Sequence, residues 1–373
     1  MSHRRVAVVH DWLTGMRGGE AVLEAILDVL PEAELFTLFH FRGSMSKKIE
    51  SRRIHTSHLQ PLAEKASDYR HLLPLFPSAA RSFDFSGFDL IVSSSHCVAK
   101  GVNALGKPHL SYCHTPMRYI WDRFDDYFPR SKPLRRMAAM SFAPWLRRWD
   151  VRTASEVTKF VANSSFVRER IRRYYDRDAE VVHPFVDDAF LEAPLAETRE
   201  DYHIVVSALV PYKKVDLAVA AAVASGRRLA VIGGGPLLEE FRRRGGRNVE
   251  ILGAVSRERI IDRVSRARSL ILPGVEDFGI TPLEAMALGT PVVALGEGGV
   301  RDSVVHGRTG IFFDQATVES LRRALDEVER REWDRGAIRQ HAAGFSRVRF
   351  EERFRDQLSA LSSQLSGDRI GLS

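Results

Sequence analysis

Cysteine and long apolar stretches are both scarce in this chain. Only two cysteines, Cys97 and Cys113, occur among 373 residues, which excludes a disulfide-stabilised scaffold and favours a reducing compartment. No segment approaches the ~18 consecutive apolar residues of a membrane-spanning helix. The first apolar run is too short for a signal peptide, because it meets His10 and Asp11 at once. We therefore expect a cytoplasmic protein.

Motifs for metals and nucleic acids are also missing. The cysteines and histidines do not have zinc-ligand spacing, and we interpret the D-x-D at residues 176–178 as a helix-ending turn. The formal net charge of +7 favours anionic partners such as nucleotides, nucleic acid or an acidic membrane surface. Because no helix-turn-helix, RRM or zinc-finger pattern occurs, we do not expect nucleic acid. We predict no bound metal.

Short apolar runs alternate with helical patterns, which predicts an α/β fold with doubly wound parallel sheets. The predicted strands are 6–10, 89–95, 108–114, 159–165 and 180–184, then 203–209, 228–234, 248–252, 269–273, 291–295 and 310–313. A polar, proline-containing segment at 186–202 is the predicted linker. We expect a first domain of residues 1–190, joined by a C-terminal helix at 350–373, and a second domain of residues 198–349. Two such domains facing each other across a cleft would bind a ligand at the carboxyl ends of their strands.

The segment EDFGITPLEAMALGTPVV, residues 276–293, carries two glutamates near the start of a predicted helix. Thr281 and Glu284 have capping-box spacing, with Pro282 at the first helical position, so Glu284 has a structural interpretation. Glu276 has one as well, since the helix dipole favours an acid there. The alternative is a site in which amides bind a diphosphate and the carboxylates accept hydrogen bonds from hydroxyls. The amide donors would be those of Phe278, Gly279, Ile280 and Thr281. An anion between two hydroxyl-binding acids describes a nucleotide sugar.

This segment and its continuation to GRTGIFF resemble the E-x7-E signature of the family-4 glycosyltransferases, retaining enzymes of the GT-B fold with two Rossmann-like domains. The resemblance implies that Glu276 contacts the donor sugar, that Glu284 contacts the nucleotide ribose, and that the amides between them bind the diphosphate. It also implies catalysis without a metal or a cofactor, with the nucleotide sugar as substrate. The binding interpretation of both glutamates is therefore favoured over the structural one.

Lys213 and Lys214 lie between a predicted strand and a helix whose N-cap we predict at Asp216. The resemblance implies that Lys213 binds the diphosphate, where a cation stabilises the charge developing on the leaving group. Family members commonly carry an arginine at the position of Ala208, so Lys214 is expected to share this role.

A glycine-rich turn contains Gly234 and lacks the G-x-G-x-x-G pattern of an NAD site. The turn resembles a family loop beside the nucleotide. Val255 lies in a loop similar to the one whose backbone contacts the base.

Gly18 and Gly19 precede the first predicted helix. They form either a simple tight turn or, as in similar enzymes, a place where backbone amides reach the diphosphate. Glu20 is interpreted as an acid that complements the helix dipole. His10 and Asp11, at the tip of the first strand, are candidates for contact with the acceptor.

His114 leaves a predicted strand and precedes Thr115-Pro116, which keeps the chain extended. The segment resembles the YCHTPxRYxWD block of bacterial polysaccharide enzymes of the same family. That likeness implies that His114 is hydrogen-bonded to the donor sugar or the transition state and is not a nucleophile. On the acceptor side we expect Arg118, Trp121 and Asp122.

The resemblance implies retaining transfer of a hexose to a saccharide or a polyprenyl-diphosphate-linked saccharide in polysaccharide assembly. Because the His114 segment is most similar to mannosyltransferases, the expected donor is GDP-mannose. A UDP-sugar donor stays an alternative, as does a nucleotide-sugar 2-epimerase of the same fold.

Residues 130–152 combine arginines with methionine, phenylalanine and tryptophan. One interpretation is an amphipathic helix lying on the sheet. The other is a patch that contacts an anionic membrane surface. The second would make the protein peripheral at the inner membrane face.

Overall fold

The computed structural model describes residues 5–65 and 68–368, with side chains up to residue 363. The chain divides into two compact units. Unit 1 comprises Met1–His183 and Phe350–Ser373, and unit 2 comprises Pro184–Arg349. The C-terminal part belongs to unit 1 because the buried rings of Phe350 and Phe354 pack edge-on against Tyr112.

Unit 1 is built on a parallel sheet. Its strands are β1 (Val6–His10), β2 (Glu34–Thr37), β3 (Ile54–Thr56), β4 (Leu90–Ser95), β5 (His109–Cys113), β6 (Lys159–Ala162) and β7 (Ala179–Val181). Its helices are α1 (Gly18–Val29), α2 (Lys47–Glu50), α3 (Gln60–Lys65), α4 (Phe76–Arg81), α5 (Phe124–Tyr127), α6 (Pro133–Ser155) and α7 (Ser165–Tyr175), with 3-10 helices at Tyr69–Leu75 and Ala99–Gly101. The strand order is β3-β2-β1-β4-β5-β6-β7.

Unit 2 repeats this plan with six parallel strands. They are β8 (His203–Val206), β9 (Leu229–Ile232), β10 (Val249–Gly253), β11 (Ser269–Leu272), β12 (Val292–Leu295) and β13 (Gly310–Phe313), in the order β10-β9-β8-β11-β12-β13. Its helices are α8 (Asp188–Glu192), α9 (Val215–Ser225), α10 (Leu238–Arg244), α11 (Arg257–Arg266), α12 (Ile280–Ala287), α13 (Val300–Ser303), α14 (Val318–Arg330) and α15 (Arg335–Ala343), with a 3-10 helix at Pro211–Lys213. The last helix, α16 (Arg347–Asp368), enters unit 1 at Phe350. Among the described helices, none is long and apolar enough to cross a membrane.

The strands are apolar on both sides because helices cover both faces of each sheet. In β11, Leu270 and Leu272 belong to the apolar cluster that includes α12, whereas Ile271 between them belongs to the cluster that includes α14. Successive side chains of a strand point to opposite faces, so a sheet covered on both sides requires a nearly continuous apolar run. The predicted α/β class and its parallel sheets are confirmed.

Each sheet reverses its strand order at one place. In unit 1 the chain runs from β1 outward to β3 and then returns to β4 on the other side of β1, and in unit 2 the same reversal separates β8 from β11. The loops that leave the carboxyl ends of such a pair diverge, and open α/β sheets bind ligands in the crevice between them. The loops after β1, β4, β8 and β11 therefore position the candidate sites.

The predicted linker at 186–202 is wrong, because this segment packs into unit 2. Val186, Phe190 and Tyr202 are at most 3% exposed and belong to the core of that unit. Asp187, which suggests a polar linker, caps α8 by accepting a hydrogen bond from Ala189 N at 3.0 Å. The units divide at His183 and Pro184 instead.

Candidate functional site

Lys213 and Glu276 lie together in unit 2, although 63 positions separate them. Lys213 ends the 3-10 helix that follows β8, and Glu276 lies in the loop after β11. Lys213 Nζ donates to Glu276 Oε1, forming an ion pair. The two side chains are 17% and 14% exposed, so both are partly desolvated but reachable. The pair therefore lies at the reversal point of this sheet, where a ligand is expected.

Glycines allow the loops around this pair to approach closely. A Cβ on Gly274 would lie 2.8 Å from Lys213 O, and one on Gly298 would lie 2.5 Å from Glu276 O. Gly298 also has a φ of +88°, which favours glycine. Gly299 N donates to Glu276 O at 2.9 Å. Gly298 and Gly299 were not predicted as site residues, although adjacent glycines after a strand can signal a close backbone approach.

Helix α12 begins earlier than predicted. Its N-cap is Gly279, with φ of +89°, and no side chain caps it. The predicted capping box of Thr281 and Glu284 is therefore wrong, and Pro282 is the third helical residue, not the first. The reason is that glycine adopts a positive φ without strain and turns the chain into the helix two residues before Thr281. The amides of Ile280 and Thr281 lie in the first turn, where no intrahelical acceptor exists.

The side chains of Phe278 and Val255 differ in how deeply they are buried. The Phe278 side chain is 2% exposed and lies in the core of unit 2, so only its backbone is placed to contact a ligand. Val255, between β10 and α11, is partly buried against the same core. Its contact with a base stays a prediction.

Glu284 lies in the second turn of α12 and is partly buried. Burial raises the pKa of Glu284 to about 7, the charge of Asp187 adds to this, and Arg257 opposes it. Asp187 and Arg257 are themselves paired, with Oδ2 and Nη1 2.9 Å apart. The pKa of Glu284 therefore lies near neutrality, and a hydroxyl that donates to the carboxyl would favour the ionised form.

Lys214 is the N-cap of α9, with a left-handed φ of +51°. The predicted N-cap at Asp216 is therefore wrong. A non-glycine residue in this conformation is uncommon, and it turns the chain directly from the 3-10 helix into α9. Asp216 lies in the first turn instead, where the helix dipole favours its charge.

The three glycines after β9 meet different surroundings. A Cβ on Gly233 would lie 1.8 Å from Ser207 O, and one on Gly235 would lie 2.5 Å from Leu209 O. These two glycines let the turn pack on the loop after β8. Gly234 is exposed, with nothing within 4 Å of its Cβ position. Its place beside a nucleotide stays a prediction.

Asp11 has a structural role in unit 1, and its contact with an acceptor stays a prediction. The residue is fully buried. Its carboxylate accepts hydrogen bonds at 2.6–2.9 Å from four successive amides, those of His96, Cys97, Val98 and Ala99. Each oxygen accepts two of these bonds, and His96 Nδ1 lies 3.2 Å from Oδ2. Asp11 therefore fixes the loop that follows β4.

Histidines converge at the carboxyl ends of β1, β4 and β5. His10 Nδ1 and His114 Nε2 lie 3.0 and 2.8 Å from the same Ser94 Oγ. The His96 ring centroid is 5.8 Å from that of His10. Burial lowers the pKa of His114 well below its usual value, and the charges of His10, His96 and Arg118 lower it further. The His114 ring is therefore neutral at physiological pH and acts as a hydrogen-bonding group.

Glu20 belongs to this cluster, which the sequence analysis missed. It is 4% exposed, and its Oε1 lies 3.7 Å from His10 Nε2. Burial acts to raise the pKa of Glu20, but the contacts with His10, the charge of His96 and a backbone hydrogen bond together outweigh it, so the pKa is lowered. Its spacing from Leu23 and Leu27, which are buried on α1, is the helical pattern that indicates an inward-facing acid.

Gly18 and Gly19 are the first two residues of α1, with Arg17 as N-cap, so they do not precede the helix as predicted. The Cβ position of Gly19 lies 3.9 Å from His114 Cε1. The start of α1 and His114 are therefore neighbours. Contact of these glycines with a diphosphate stays a prediction.

The three predicted acceptor-side residues after His114 have partners within unit 1. Trp121 Nε1 donates to Asp150 Oδ2 at 2.8 Å. Asp122 Oδ1 lies 2.6 Å from Arg170 Nη2. Arg118 contributes to the lowered pKa of His114. Contact of Arg118, Trp121 and Asp122 with an acceptor stays a prediction.

The D-x-D at 176–178 is a helix-ending turn, as predicted. Asp176 is the C-cap of α7 with φ of +51°. Hydrogen bonds from Arg168 and Arg172 hold the pKa of Asp178 well below its usual range. Within the described ranges, no group of three or more His, Cys, Asp or Glu side chains is arranged to hold a metal. The absence of a metal requirement stays a prediction.

Two family models match the chain. The model for Glycosyltransferase Family 4 matches residues 16–190, and the model for Glycosyl transferases group 1 matches residues 187–344. Alpha-D-kanosaminyltransferase of Streptomyces kanamyceticus is 30% identical over 312 residues, which cover 73% of this chain and 75% of that protein. The chain belongs to glycosyltransferase family 4.

A mycobacterial member of the glycosyltransferases is similar to this family-4 chain over a shorter range. It is the GDP-mannose-dependent alpha-(1-6)-phosphatidylinositol monomannoside mannosyltransferase of Mycobacterium tuberculosis, 32% identical over 246 residues. The match covers 57% of this chain and 62% of the relative, so the chain spans about three-fifths of that protein.

Solved structures show that the family-4 chain has the GT-B fold. HepE of Anabaena, in complex with UDP-glucose, has a TM-score of 0.70 at 17% identity, covering 95% of this chain and 99% of that one. The lipopolysaccharide outer core galactosyltransferase WaaB has a TM-score of 0.68 at 16% identity, with the same coverage. At this identity the likeness concerns the fold.

Proposed function

We propose that this chain is a retaining, metal-independent glycosyltransferase. It transfers a hexose, mannose from GDP-mannose, to a saccharide or a polyprenyl-diphosphate-linked saccharide in polysaccharide assembly. One observation carries the proposal: the paired Lys213 and Glu276 lie at the reversal point of the sheet in unit 2, in the loops beside the glycine-capped start of α12.

The ion pair supplies both charges that the proposed reaction uses. When the nucleotide sugar binds, the diphosphate takes Lys213 from Glu276, and the ammonium stabilises the charge that develops as the glycosidic bond breaks. Glu276 then accepts hydrogen bonds from the sugar hydroxyls. The amides of Ile280 and Thr281, in the first turn of α12, add donors and a favourable helix dipole for the diphosphate.

Glu284 in unit 2 and His114 in unit 1 have further proposed roles, each described within its own unit. Glu284, partly buried and with its pKa raised to about 7, binds the ribose hydroxyls in its ionised form. His114 is held through Nε2 by Ser94, and Asn163 Nδ2 donates to its backbone oxygen at 2.9 Å. Its neutral ring therefore has a fixed orientation and offers Nδ1 to the sugar or the transition state.

The choice of donor rests on the relatives. A GDP-mannose-dependent mannosyltransferase is 32% identical over 246 residues, which supports GDP-mannose. HepE, of the same fold, was solved with UDP-glucose, so a UDP-sugar is the alternative donor.

The donor is tested by thermal unfolding of the full chain with GDP, UDP, ADP and their sugar conjugates. A ligand that binds only the folded state raises the melting temperature. At a free ligand concentration of a hundred times the dissociation constant, it adds about 2.7 kcal/mol to the free energy of unfolding. We expect GDP and GDP-mannose to raise it most. A larger shift with UDP would select the alternative donor, and no shift with any nucleotide would contradict the proposal.

The reaction is tested by product analysis with GDP-mannose and a saccharide acceptor, with and without EDTA. We expect GDP release that requires the acceptor, survives EDTA and forms a product with the anomeric configuration of the donor by NMR. Donor consumption without an acceptor would indicate the 2-epimerase alternative. Inversion of the anomeric centre would contradict the proposed retaining mechanism. Loss of turnover in EDTA would contradict the proposed independence from metal ions.

A further inference from the structure

Helix α6 carries an exposed apolar surface in its first half. Leu134 and Met137 are 82% and 64% exposed, the highest values among the large hydrophobic residues described for this chain, and Met140 and Trp145 are 55% and 46% exposed. Contiguous exposed apolar surface on a folded protein marks an interaction site.

Leu134, Met137 and Trp145 share one face of the helix, and Met140 lies outside it. We define the α6 stripe as Leu134, Met137, Ala138, Ser141 and Trp145, all exposed. Their spacing of 3, 4, 7 and 11 positions from the first residue aligns them along the helix, over about 17 Å at ~1.5 Å per residue. The buried residues Ala143 and Leu146 lie on the other side of the helix, and Trp149, one turn after Trp145, is buried where α6 packs on unit 1.

Basic side chains lie at both ends of the α6 stripe. Lys132 and Arg135 lie at its start, and Arg148 and Arg152 continue the same face beyond Trp145, all four exposed. Lys132, Arg148 and Arg152 form no ion pair with any acid in the part of the chain that the structure describes. The one acid between residues 130 and 152 is Asp150, which is buried and paired with Lys100. The surface is therefore apolar at its centre and positive at its ends.

We propose that this face of α6 binds the surface of a bilayer that contains anionic lipids. The α6 stripe enters the boundary between headgroups and acyl chains, and the basic residues contact lipid phosphates. Charge argues against a second copy of the chain as the occupant. Because both ends of the stripe are positive, parallel and antiparallel pairing would both bring like charges together.

The test is co-sedimentation of the full chain with vesicles of phosphatidylcholine alone or mixed with phosphatidylglycerol. We expect binding to the anionic vesicles that weakens with added salt, and much weaker binding to the neutral ones. Leu134→Gln with Met137→Gln should weaken binding to anionic vesicles at least tenfold. Replacing Arg148 and Arg152 by glutamine should weaken it roughly fivefold per arginine, from ~1 kcal/mol per basic residue.

Val348→Gln is the matched control. Val348 is 62% exposed, lies on α16 between two arginines and has no exposed apolar neighbour on either side in sequence. Its replacement should leave vesicle binding unchanged. Melting temperatures and circular dichroism within error of the unmodified protein show that every variant is folded.

Several outcomes would overturn the proposal. They are no binding of the unmodified protein, equal binding to neutral and anionic vesicles, or equal binding of the stripe variant and the unmodified protein. A dimer that light scattering detects without lipid, and that the stripe variant abolishes, would identify a second copy as the occupant instead. None of these outcomes depends on the identity of the donor.

Discussion

At the scale of single residues, the pair of Lys213 and Glu276 carries the most chemical consequence. Each side chain is partly desolvated, and each is the charged partner of the other. Removing one member leaves the second charge without its counter-ion. The two residues therefore have opposite effects on a nucleotide: Lys213 attracts the diphosphate, and Glu276 competes with the diphosphate for Lys213.

Lys213→Ala should weaken GDP binding by about 1.5–3 kcal/mol, the net contribution of a hydrogen bond to a charged group. Calorimetric titration measures it. Lys214→Ala is the control, because Lys214 is adjacent in sequence but starts α9 and has no partner at Glu276. If Lys213→Ala binds GDP as tightly as the unmodified protein does, Lys213 is not part of the site. If Lys213→Ala and Lys214→Ala lose the same amount of GDP affinity, both lysines bind the diphosphate.

Glu276→Ala should lower turnover by roughly 10²-fold or more, as loss of a preorganised polar contact at the reacting centre does. GDP affinity should stay the same or increase, because Lys213 no longer has a competing carboxylate. Steady-state kinetics and calorimetric titration separate the two effects. Less cooperative unfolding of the variant, with a parallel loss of GDP binding, would instead support a structural role for Glu276.

Because the pKa of Glu284 is raised, we expect the free energy of unfolding and the affinity for GDP to change in opposite directions with pH. Its pKa is about 7 in the folded chain and 4.5 ordinarily. A raised folded-state pKa gives a stabilisation that is fully present below pH 4.5 and is lost as the pH rises through 7. GDP affinity should rise over the same interval, because ribose hydroxyls donate to the ionised carboxylate.

Glu284→Gln tests both effects, since the amide does not titrate in this range. In urea denaturation, the free energy of unfolding of the variant should no longer show the decline between pH 5 and pH 8 that Glu284 causes. The GDP affinity of the variant, measured by titration, should likewise lack the part of the rise with pH that is due to this residue. The unmodified protein at the same pH values corrects for titration of GDP itself. Identical pH profiles for both proteins would contradict the role of Glu284.

The family resemblance predicted Lys213 and Glu276 as site residues, and the structure places these two side chains in contact. Their roles toward a ligand stay predictions. The structural role of Asp11 was not predicted, because a sequence shows a carboxylate but not the four amides that donate to it. Glu20 was missed because the dipole explanation was sufficient for an exposed acid, and burial is a property of the tertiary structure.

At the scale of secondary-structure elements, loops that cross closely control the site of unit 2. The turn after β9 approaches the loop after β8 so closely that a Cβ on Gly233 would lie 1.8 Å from Ser207 O. Gly233 also has a φ of +140°, which side-chain-bearing residues rarely adopt. The Lys213 helix follows the same loop, so the turn supports the position of Lys213.

Gly233→Ala should therefore lower the free energy of unfolding by about 1–3 kcal/mol or more, the usual range for strain at a special backbone conformation. Urea denaturation measures it. Gly234→Ala is the control, because its Cβ position has open space, and its stability should stay within ~0.5 kcal/mol. Loss of GDP affinity in folded Gly234→Ala would support the predicted place of Gly234 beside the nucleotide. Equal stability of the two variants would contradict the close approach.

Strands with long apolar runs were predicted well from the sequence, whereas the first residues of the helices were not. The six strands of unit 2 coincide with predicted runs because burial on both faces requires continuous apolar residues. In unit 1, β2 was missed because it merges with the apolar stretch after it, and β3 because it has only three residues. Helix starts depend on single backbone angles, such as φ at Gly279 and Lys214, which residue type alone does not determine.

At the scale of the whole molecule, each unit has its own apolar core, and unit 1 contains a buried ion pair. Lys100 Nζ lies 2.9 Å from Asp150 Oδ1, with side-chain exposures of 2% and 0%. Asp150 Oδ2 also accepts hydrogen bonds from Trp121 and Tyr175 at 2.8 and 2.9 Å. The pair therefore joins α6 and α7 to the loops that follow β4 and β5, which carry the histidine cluster.

Lys100→Met should destabilise unit 1 by about 3–5 kcal/mol, because it leaves the charge of Asp150 buried without its partner. Hydrogen exchange with mass spectrometry in moderate urea should show loss of protection in β4 and β5, whereas β11 and β12, in the core of unit 2, keep theirs. Adding Asp150→Asn should recover part of the loss, since the amide is neutral and its oxygen still accepts from Trp121. Lys132→Met, at an exposed position, should change neither unit. Equal loss of protection in β11 and β12 would contradict two separate cooperative units, and full protection everywhere would show that the buried pair contributes nothing to stability.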